Sequence, residues 1–356
     1  MTVLENGDQV AAPVVSDVVT PSRAARRRIP IGGHLGVLIA LVLCCVYLAG
    51  TQSAFRTWGN VTNIVGSNSV TLVLALGATF VIIAGGLDMS IAAGTAASGM
   101  ILGLLVQAGA PTILVMLAPI GFGLLLGFIN GALITFARIS FLVVTLGAMS
   151  VYTSFALIVK SGSTIVVFDQ ASFTPIYDFA THNVGPIPIV MIFDVVIALI
   201  AAGVLRYTSF GRSVFAVGSN REAARLNGIN VTMIVLMVYV ITGLTVGLAS
   251  IVEVGRLTGA SPTVDPTQLL GVLAAVLIGG TAYTGGAGSI SGTIIGVLFL
   301  GVVQNGLTLS GVSSFWQGTV NGTILIAAVG LGVLREHGRF RLRLPRRRAA
   351  SSPGAE

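Results

Sequence analysis

The sequence predicts an all-α, polytopic integral membrane protein, because its composition, its apolar segments and its charge distribution agree. Of the 356 residues, 54% are hydrophobic and only 9% are charged, whereas a soluble domain carries about 25% charged residues. Four of the 19 lysine and arginine residues lie in the first 30 positions and seven in the last 22. This composition excludes a soluble enzyme, a disordered chain and a disulfide-rich secreted domain.

The apolar segments predict about ten transmembrane helices, since a bilayer core of about 30 Å requires about 20 apolar residues per helix. The segments that qualify are 31–50, 66–86, 91–109, 111–136, 139–159, 187–206, 231–254, 269–282, 289–310 and 316–334. The segment 269–282 is short and runs into a glycine-rich break, so it is the least regular of the set.

The basic residues predict the orientation of these helices. If the N-terminus is cytoplasmic, alternation of ten spans places 16 of the 19 basic residues on the same side of the membrane. Basic residues favour the cytoplasmic side, so both ends are expected there. The predicted organisation is a cytoplasmic tail 1–30, a transmembrane domain 31–334 with an inner loop 206–230, and a cytoplasmic tail 335–356. Basic tails beside apolar segments meet lipid headgroups, which removes the need for nucleic acid as a partner.

The inner loop contains a short helical pattern from Ser219 to Gly228. Ser219 and Glu222 have the spacing of a capping box, and Gly228 suits a left-handed helix stop. The expected helix of about two turns is too short to be stable alone in water, so it needs a surface to pack against. Two interpretations stay open, a helix lying on the lipid headgroups and a helix docking on a cytoplasmic partner.

The chain lacks the residues of a self-contained energy source. Its single lysine, Lys160, follows a valine, so no phosphate-binding loop is present. Neither an HExxH zinc pair nor a GxSxG nucleophile elbow occurs. We therefore expect that the chain binds no cofactor, is not itself an enzyme, and draws the energy for any active transport from another chain.

A transporter driven by an ion gradient would place ionisable residues at membrane depth. Asp194 is expected near the outer end of its helix, within reach of water. Glu253 and Arg256 have i,i+3 spacing and are expected to form a surface ion pair. Asp88 is left without an evident partner at a glycine-rich boundary between two helices.

Two glycine-rich breaks, 85–88 and 279–286, interrupt the apolar pattern. Irregular backbone at membrane depth is tolerated where it is buried in protein or lines a cavity. These glycines, with uncharged polar residues elsewhere, are therefore candidates for a translocation pathway or gate. The alternative for each is helix packing or an interhelical hydrogen bond. The candidates are Gly85, Gly86, Asp88, Asn130, Thr145, Gly279, Gly280, Thr281, Gln304 and Asn305.

Several motifs resemble a known family. Glu222-Ala223-Ala224 followed by Gly228 is similar to the coupling-loop signature of ABC-importer permeases. Five further motifs occur in family-like order between about residues 60 and 334, and together they resemble permease subunits of the ribose/xylose/galactoside class of sugar importers. They are Gly85-Gly86-Leu87-Asp88-Met89-Ser90, Asn130-Gly131, Thr145-Leu146-Gly147, Gly279-Gly280-Thr281 and Asn305-Gly306.

The resemblance implies a set of partners. A second permease chain (a copy or a related chain), two ABC ATPase subunits that use ATP and Mg, and an extracytoplasmic solute-binding protein would assemble in the bacterial inner membrane. The residues that would contact the ATPase are Gly211, Arg212, Ser219, Asn220, Glu222, Ala223, Ala224 and Gly228. The chain departs from the family pattern at Ser140, at 268–270 and at Ala287.

The expected function is translocation of a monosaccharide or similar polyol by alternating access. ABC permeases for branched-chain amino acids or nucleosides are the near alternatives. A secondary transporter or channel for a small solute is the alternative from a different class.

Overall fold

The computed structural model describes residues 32–168, 170–263, 265–313 and 315–336. Within them, a helix lies at each of the ten apolar segments. Numbered in chain order with the shorter helices, these are α1 (Gly32–Thr51), α2 (Trp58–Ile83), α3 (Ile91–Gln107), α4 (Thr112–Thr135), α5 (Phe141–Val159), α7 (Ile189–Tyr207), α10 (Val231–Leu257), α11 (Pro266–Ile278), α12 (Ile290–Leu309) and α13 (Phe315–Glu336). The predicted tail 1–30 and all but the first two residues of the predicted tail 335–356 lie outside the described residues.

Six of these helices, α2, α4, α5, α7, α10 and α12, are long and apolar enough to cross a bilayer. The described part of α1, together with α3 and α11, is apolar but shorter. The chain is thus a mostly helical, multi-pass membrane protein. The number of ten spans and the cytoplasmic position of both termini stay predictions.

Shorter elements lie at the two ends of the bundle. One end, here called the α6 end, carries a 3-10 helix (Ser53–Arg56), α6 (Thr174–Thr181) and two antiparallel strand pairs. These strands are β1 (Ile165–Val166) with β4 (Gly259–Ala260), and β2 (Asn183–Val184) with β3 (Ile187–Pro188). The opposite end, here called the α9 end, carries α8 (Ser209–Ser219) and α9 (Arg221–Leu226).

Several helices begin at polar side chains that cap the first free backbone amides. Thr57 accepts a hydrogen bond from the backbone N–H of Asn60 at 3.2 Å, at the start of α2. Asn230 caps α10 in the same way, as does Ser289 at the start of α12. Such caps satisfy amides that have no partner inside the helix, so these boundaries are encoded locally.

The centre of the bundle is formed by α2 and α10, which are buried over most of their length, whereas α4, α5 and α7 expose many apolar side chains. The most extensive helix contact among the described residues joins α4 to α10. Gly123 and Gly127 of α4 face Gly243 and Gly247 of α10, and a Cβ added at Gly127 would lie 2.9 Å from Gly243 Cα. Paired small-xxx-small motifs allow backbones to approach closely, which stabilises helix contacts where lipid removes the hydrophobic driving force.

Candidate functional site

The inner loop folds into two helices, where the sequence predicted one isolated helix. α8 precedes α9, and a single extended residue, Asn220, separates them. Asn220 also caps α9, since its Oδ1 accepts from the backbone N–H of Ala223 at 2.9 Å. The predicted capping box of Ser219 and Glu222 is therefore wrong: Ser219 is the last residue of α8. Asparagine and serine are equally good N-caps, so position alone could not decide between adjacent candidates.

The predicted helix stop at Gly228 is confirmed. Its φ is 79°, in the left-handed region that favours glycine. The N–H of Gly228 donates to the carbonyl of Arg225 at 3.0 Å, and the N–H of Ile229 donates to Ala224 at 3.1 Å. These bonds satisfy carbonyls at the end of α9 and return the chain to α10.

α9 turns one small residue toward the protein and the rest toward solvent. Ala224 is buried within a cluster formed by α2, α7, α8 and α10. Ala223 is exposed, and Leu226 is 80% exposed. Glu222 and Arg225 form an exposed ion pair at 3.3 Å. The exposed surface of α9 is therefore available to a partner.

α8 is fixed by a tight turn after α7. Thr208 caps it by accepting from the N–H of Gly211 at 3.0 Å. A Cβ at Gly211 would overlap the carbonyl of Leu205, so the close return of the chain requires glycine at this position. Arg212 is exposed on α8, while Val214 and Val217 are buried against the core.

The first glycine-rich break joins α2 to α3 and contains a buried carboxylate. Asp88 is 6% exposed, and its Oδ1 accepts from the backbone N–H and the hydroxyl of Ser90, at 2.9 and 2.6 Å. Tyr239 on α10 donates its hydroxyl to the carbonyl of Leu87 at 3.1 Å. The sequence showed no evident partner for Asp88, and the structure supplies Ser90. A carboxylate beside the free amides at the start of α3 is also favoured by the helix dipole.

The hydrogen bonds of Asp88 extend across two more helices. Asn130 on α4 donates its amide to the Ser90 hydroxyl at 2.9 Å. Tyr152 on α5 donates its hydroxyl to Asn130 Oδ1 at 2.9 Å. The donors run in one direction, from Tyr152 through Asn130 and Ser90 to the Asp88 carboxylate, which only accepts when ionised. Sequence reasoning named Asp88 and Asn130, and missed Ser90 and Tyr152, although a lone tyrosine in the apolar α5 was an available signal.

The second break, residues 279–286, lies between α11 and α12 and contacts the first. The backbone N–H of Gly286 donates to the carbonyl of Ile83, the last residue of α2, at 2.8 Å. Gly280 and Gly285 adopt positive φ values of 91° and 87°. Thr281 is buried, and its hydroxyl has no hydrogen-bond partner among the described residues. The bond from Gly286 to Ile83 therefore brings the two breaks into contact.

Other candidate pathway residues lie elsewhere. Asn305 forms two reciprocal amide hydrogen bonds with Asn60 at 2.8 and 3.0 Å, near the start of α2 and thus at the end opposite to the first break. Gln304 donates to Asn321 of α13 at 3.2 Å. Thr145 is buried on α5, and its hydroxyl has no partner within the described part of the chain. Gln304 and Asn305 therefore make the interhelical bonds that the alternative interpretation expects.

The remaining ionisable residues differ from their predictions. Asp194 does not reach water, since it is 3% exposed and accepts from the Ser69 hydroxyl at 2.7 Å. Among the ion pairs of the described residues, none joins Glu253 to Arg256. Glu253 instead hydrogen-bonds Gln268. The i,i+3 spacing allowed a pair, but Glu253 bonds Gln268 of α11 and Arg256 bonds Ser67 of α2, and local spacing cannot reveal partners from other helices.

A cavity of about 330 Å³ opens at the α6 end, between α2, α6, α7 and α10. Its wall includes Thr62, Asn63, Thr181, Asn183 and Arg256. The Arg256 guanidinium makes one long hydrogen bond, of 3.5 Å, to the Ser67 hydroxyl. Sequence reasoning did not identify this cavity, because its residues come from four separate segments. Across the described ranges, no group of three or more His, Cys, Asp or Glu could hold a metal ion.

Several permeases are similar to this chain over most of its length. Ribose import permease protein RbsC of Bacillus subtilis (strain 168) is 35% identical over 298 residues, covering 83% of this chain and 91% of the relative. D-allose transport system permease protein AlsC of Escherichia coli (strain K12) is 32% identical over 294 residues, covering 82% and 89%. L-arabinose ABC transporter permease protein AraH of Azospirillum brasilense is 31% identical over 323 residues, covering 90% and 94%. No solved structure gives a significant match.

The family model described as branched-chain amino acid transport system / permease component matches residues 60–329. That range includes both glycine-rich breaks, the two inner-loop helices and the buried network of Asp88. This chain is a membrane permease that belongs to the family of ABC-importer permease components.

Proposed function

We propose that this chain is the translocating subunit of an ATP-driven importer in the bacterial inner membrane, and that its solute is a monosaccharide or similar small polyol. The observation that carries the proposal is the set of relatives: permeases for ribose, allose and arabinose are 31–35% identical over more than four fifths of this chain. The partners would be ABC ATPase subunits, an extracytoplasmic binding protein and a second permease chain.

The exposed face of α9 supports the proposed contact with an ATPase. A solvent-facing leucine is costly to leave in water, and burying it stabilises a complex by about 1.5–3 kcal/mol. Leu226 is 80% exposed, beside the exposed Ala223 and the Glu222–Arg225 pair. An apolar centre flanked by charges is the common composition of a protein interface. ATP and Mg would bind to the partner, and this chain would bind no cofactor.

The cavity at the α6 end suits the arrival of a hydroxylated solute. Its volume of about 330 Å³ lies within the usual range of small-ligand pockets, about 300–1,000 Å³. Threonine hydroxyls, asparagine amides and the Arg256 guanidinium offer donors and acceptors to sugar hydroxyls. Weak contacts of this kind also suit a passage that must release its solute.

Alternating access is the proposed mechanism. ATP binding would draw the two ATPases together, α9 would move with them, and the two glycine-rich breaks would open or close the inner side of the passage. Gly85, Gly86, Asp88, Gly279, Gly280 and Thr281 are the proposed gate residues. The other predicted pathway residues would stabilise helix packing.

A branched-chain amino acid permease is the second candidate, favoured by the description of the matching family. The decisive experiment reconstitutes this chain with its ATPase and binding protein in proteoliposomes containing ATP. Uptake of labelled ribose, allose and arabinose is compared with uptake of leucine and a nucleoside. We expect ATP-dependent uptake of a sugar that a protonophore leaves unchanged. Uptake of leucine alone would establish the second candidate, and uptake that needs no ATPase but collapses with a protonophore would establish a secondary transporter.

A further inference from the structure

Four glycines from three separate segments meet at one point, here called the glycine junction (Gly85, Gly218, Gly285 and Gly286). Gly85 belongs to the first break, Gly218 to the last turn of α8, and Gly285 and Gly286 to the second break. The junction therefore lies where the inner loop touches both breaks.

At Gly218, Gly285 and Gly286 the neighbouring backbone is too close for a side chain. A Cβ at Gly218 would overlap the carbonyl oxygen of Ile83 and lie 2.6 Å from the backbone nitrogen of Gly286. A Cβ at Gly285 would lie 2.9 Å from Gly85 Cα and 3.0 Å from the carbonyl of Gly218. Real Cβ atoms do not approach backbone this closely. Each segment is thus in direct backbone contact with the other two, with no flexible side chain between them.

α8 is also attached to α2 on the same side of the junction. The ring of Phe210 stacks on Phe80 with centroids 6.4 Å apart. Val214 and Val217 are buried in the same cluster as Ile83. The end of α8 is consequently held against the end of α2, and a displacement of α8 must displace the first break or break these contacts.

α9 reaches the first break by a second route. Arg221, its first residue, lines a small cavity together with Gly86 and Tyr239. Tyr239 holds the break through its hydrogen bond to the Leu87 carbonyl. Asn220, which links α8 to α9, therefore lies between two contacts with the first break. One is made by Gly218, and the other is made by Arg221 in the small cavity that it shares with Gly86 and Tyr239.

We infer that the glycine junction is the positioning element that makes the inner loop and both breaks move as one body, so that displacement of α9 opens or closes the two breaks together. This inference rests on the proposed function. Packed elements with direct backbone contact shift between discrete arrangements and do not deform gradually, so a small displacement at α9 is transmitted to the breaks. The closeness of the three backbones, which only glycine allows, is what makes that transmission direct.

The test is Gly218→Ala in the reconstituted complex, with Gly203→Ala as the matched control. Gly203 lies on α7, where an added Cβ meets nothing within 4 Å. For Gly218→Ala we expect ATPase subunits to co-purify at wild-type stoichiometry and to hydrolyse ATP at no less than about half the wild-type rate, while solute moved per ATP falls at least about tenfold. Gly203→Ala should leave this ratio unchanged. A wild-type ratio in Gly218→Ala overturns the inference.

A measurement on the wild-type complex covers the case in which Gly218→Ala does not fold. Hydrogen exchange is followed in three segments, 84–90, 216–221 and 279–288, with and without a non-hydrolysable ATP analogue. We expect the three segments to change protection together. If the nucleotide changes the protection of 216–221 but not that of either break, the inference is overturned while the proposed function stays intact. If the ATPase does not bind the wild-type chain, or ATP drives no uptake, the proposed function itself fails.

Discussion

Replacing Tyr152 by phenylalanine removes one hydroxyl from the network that ends at Asp88. The side chain is 6% exposed and its partner Asn130 is 1% exposed, so both are shielded from bulk water. Leaving a buried acceptor unpaired costs about 1–3 kcal/mol in soluble proteins, but interhelical hydrogen bonds in membranes average only about 0.6 kcal/mol with a maximum near 1.7. We expect Tyr152→Phe to lower the free energy of unfolding by about 1 kcal/mol.

The assay is reversible unfolding in mixed micelles followed by circular dichroism. Tyr47→Phe on α1 is the matched control, because that tyrosine is 68% exposed and its change should cost less than about 0.5 kcal/mol. A double-mutant cycle with Asn130→Ala isolates the pair, whose atoms are 2.9 Å apart; we expect a coupling energy of about 0.6–1.7 kcal/mol. If Tyr152→Phe matches Tyr47→Phe and the coupling energy is zero, the hydrogen-bond chain as described is refuted.

Three further predictions concern the α9 end and the helix contact at the centre. Asn220→Ala should destabilise α9 by about 1 kcal/mol and speed hydrogen exchange in 221–228, because Asn220 makes the cap. Ser219→Ala should have neither effect. A larger effect of Ser219→Ala than of Asn220→Ala would instead support the capping box of Ser219 and Glu222. Gly127→Ala should lower the free energy of unfolding by about 1–3 kcal/mol through overpacking. Gly121→Ala on the same helix should not, because a Cβ added there meets nothing within 4 Å. Equal shifts of the unfolding temperature in the two variants would contradict the close contact of α4 and α10. Leu226→Asp should weaken ATPase binding at least about tenfold in pull-down titrations, because burying this leucine at the interface is worth about 1.5–3 kcal/mol. Thermal stability should not change, since the leucine is 80% exposed. Unchanged binding would exclude Leu226 from the interface.

The sequence by itself determined the class of protein and the places of its helices. Runs of apolar residues predict these helices without tertiary information. A helix that crosses lipid must be apolar along the crossing and must satisfy its backbone hydrogen bonds within itself. A helix lies at each of the ten predicted segments, and the helix stop at Gly228 is where the sequence placed it.

Local pattern failed where a residue had several permitted partners. Ser219 had the spacing of a cap, yet Asn220 holds that place. The Glu253–Arg256 spacing allowed an ion pair, yet Glu253 bonds Gln268 from another helix. α8 was missed because its apolar pattern is short and adjoins a transmembrane segment.

What only the tertiary structure decided is which distant residues meet. Ser90, Asn130 and Tyr152 form one chain of hydrogen bonds to Asp88, while Asn305 pairs with Asn60 at the opposite end of α2. The physical reason is that apolar surface specifies burial without specifying a partner. Partners are fixed by the crossing of helices, and here those crossings depend on glycines that let backbones touch.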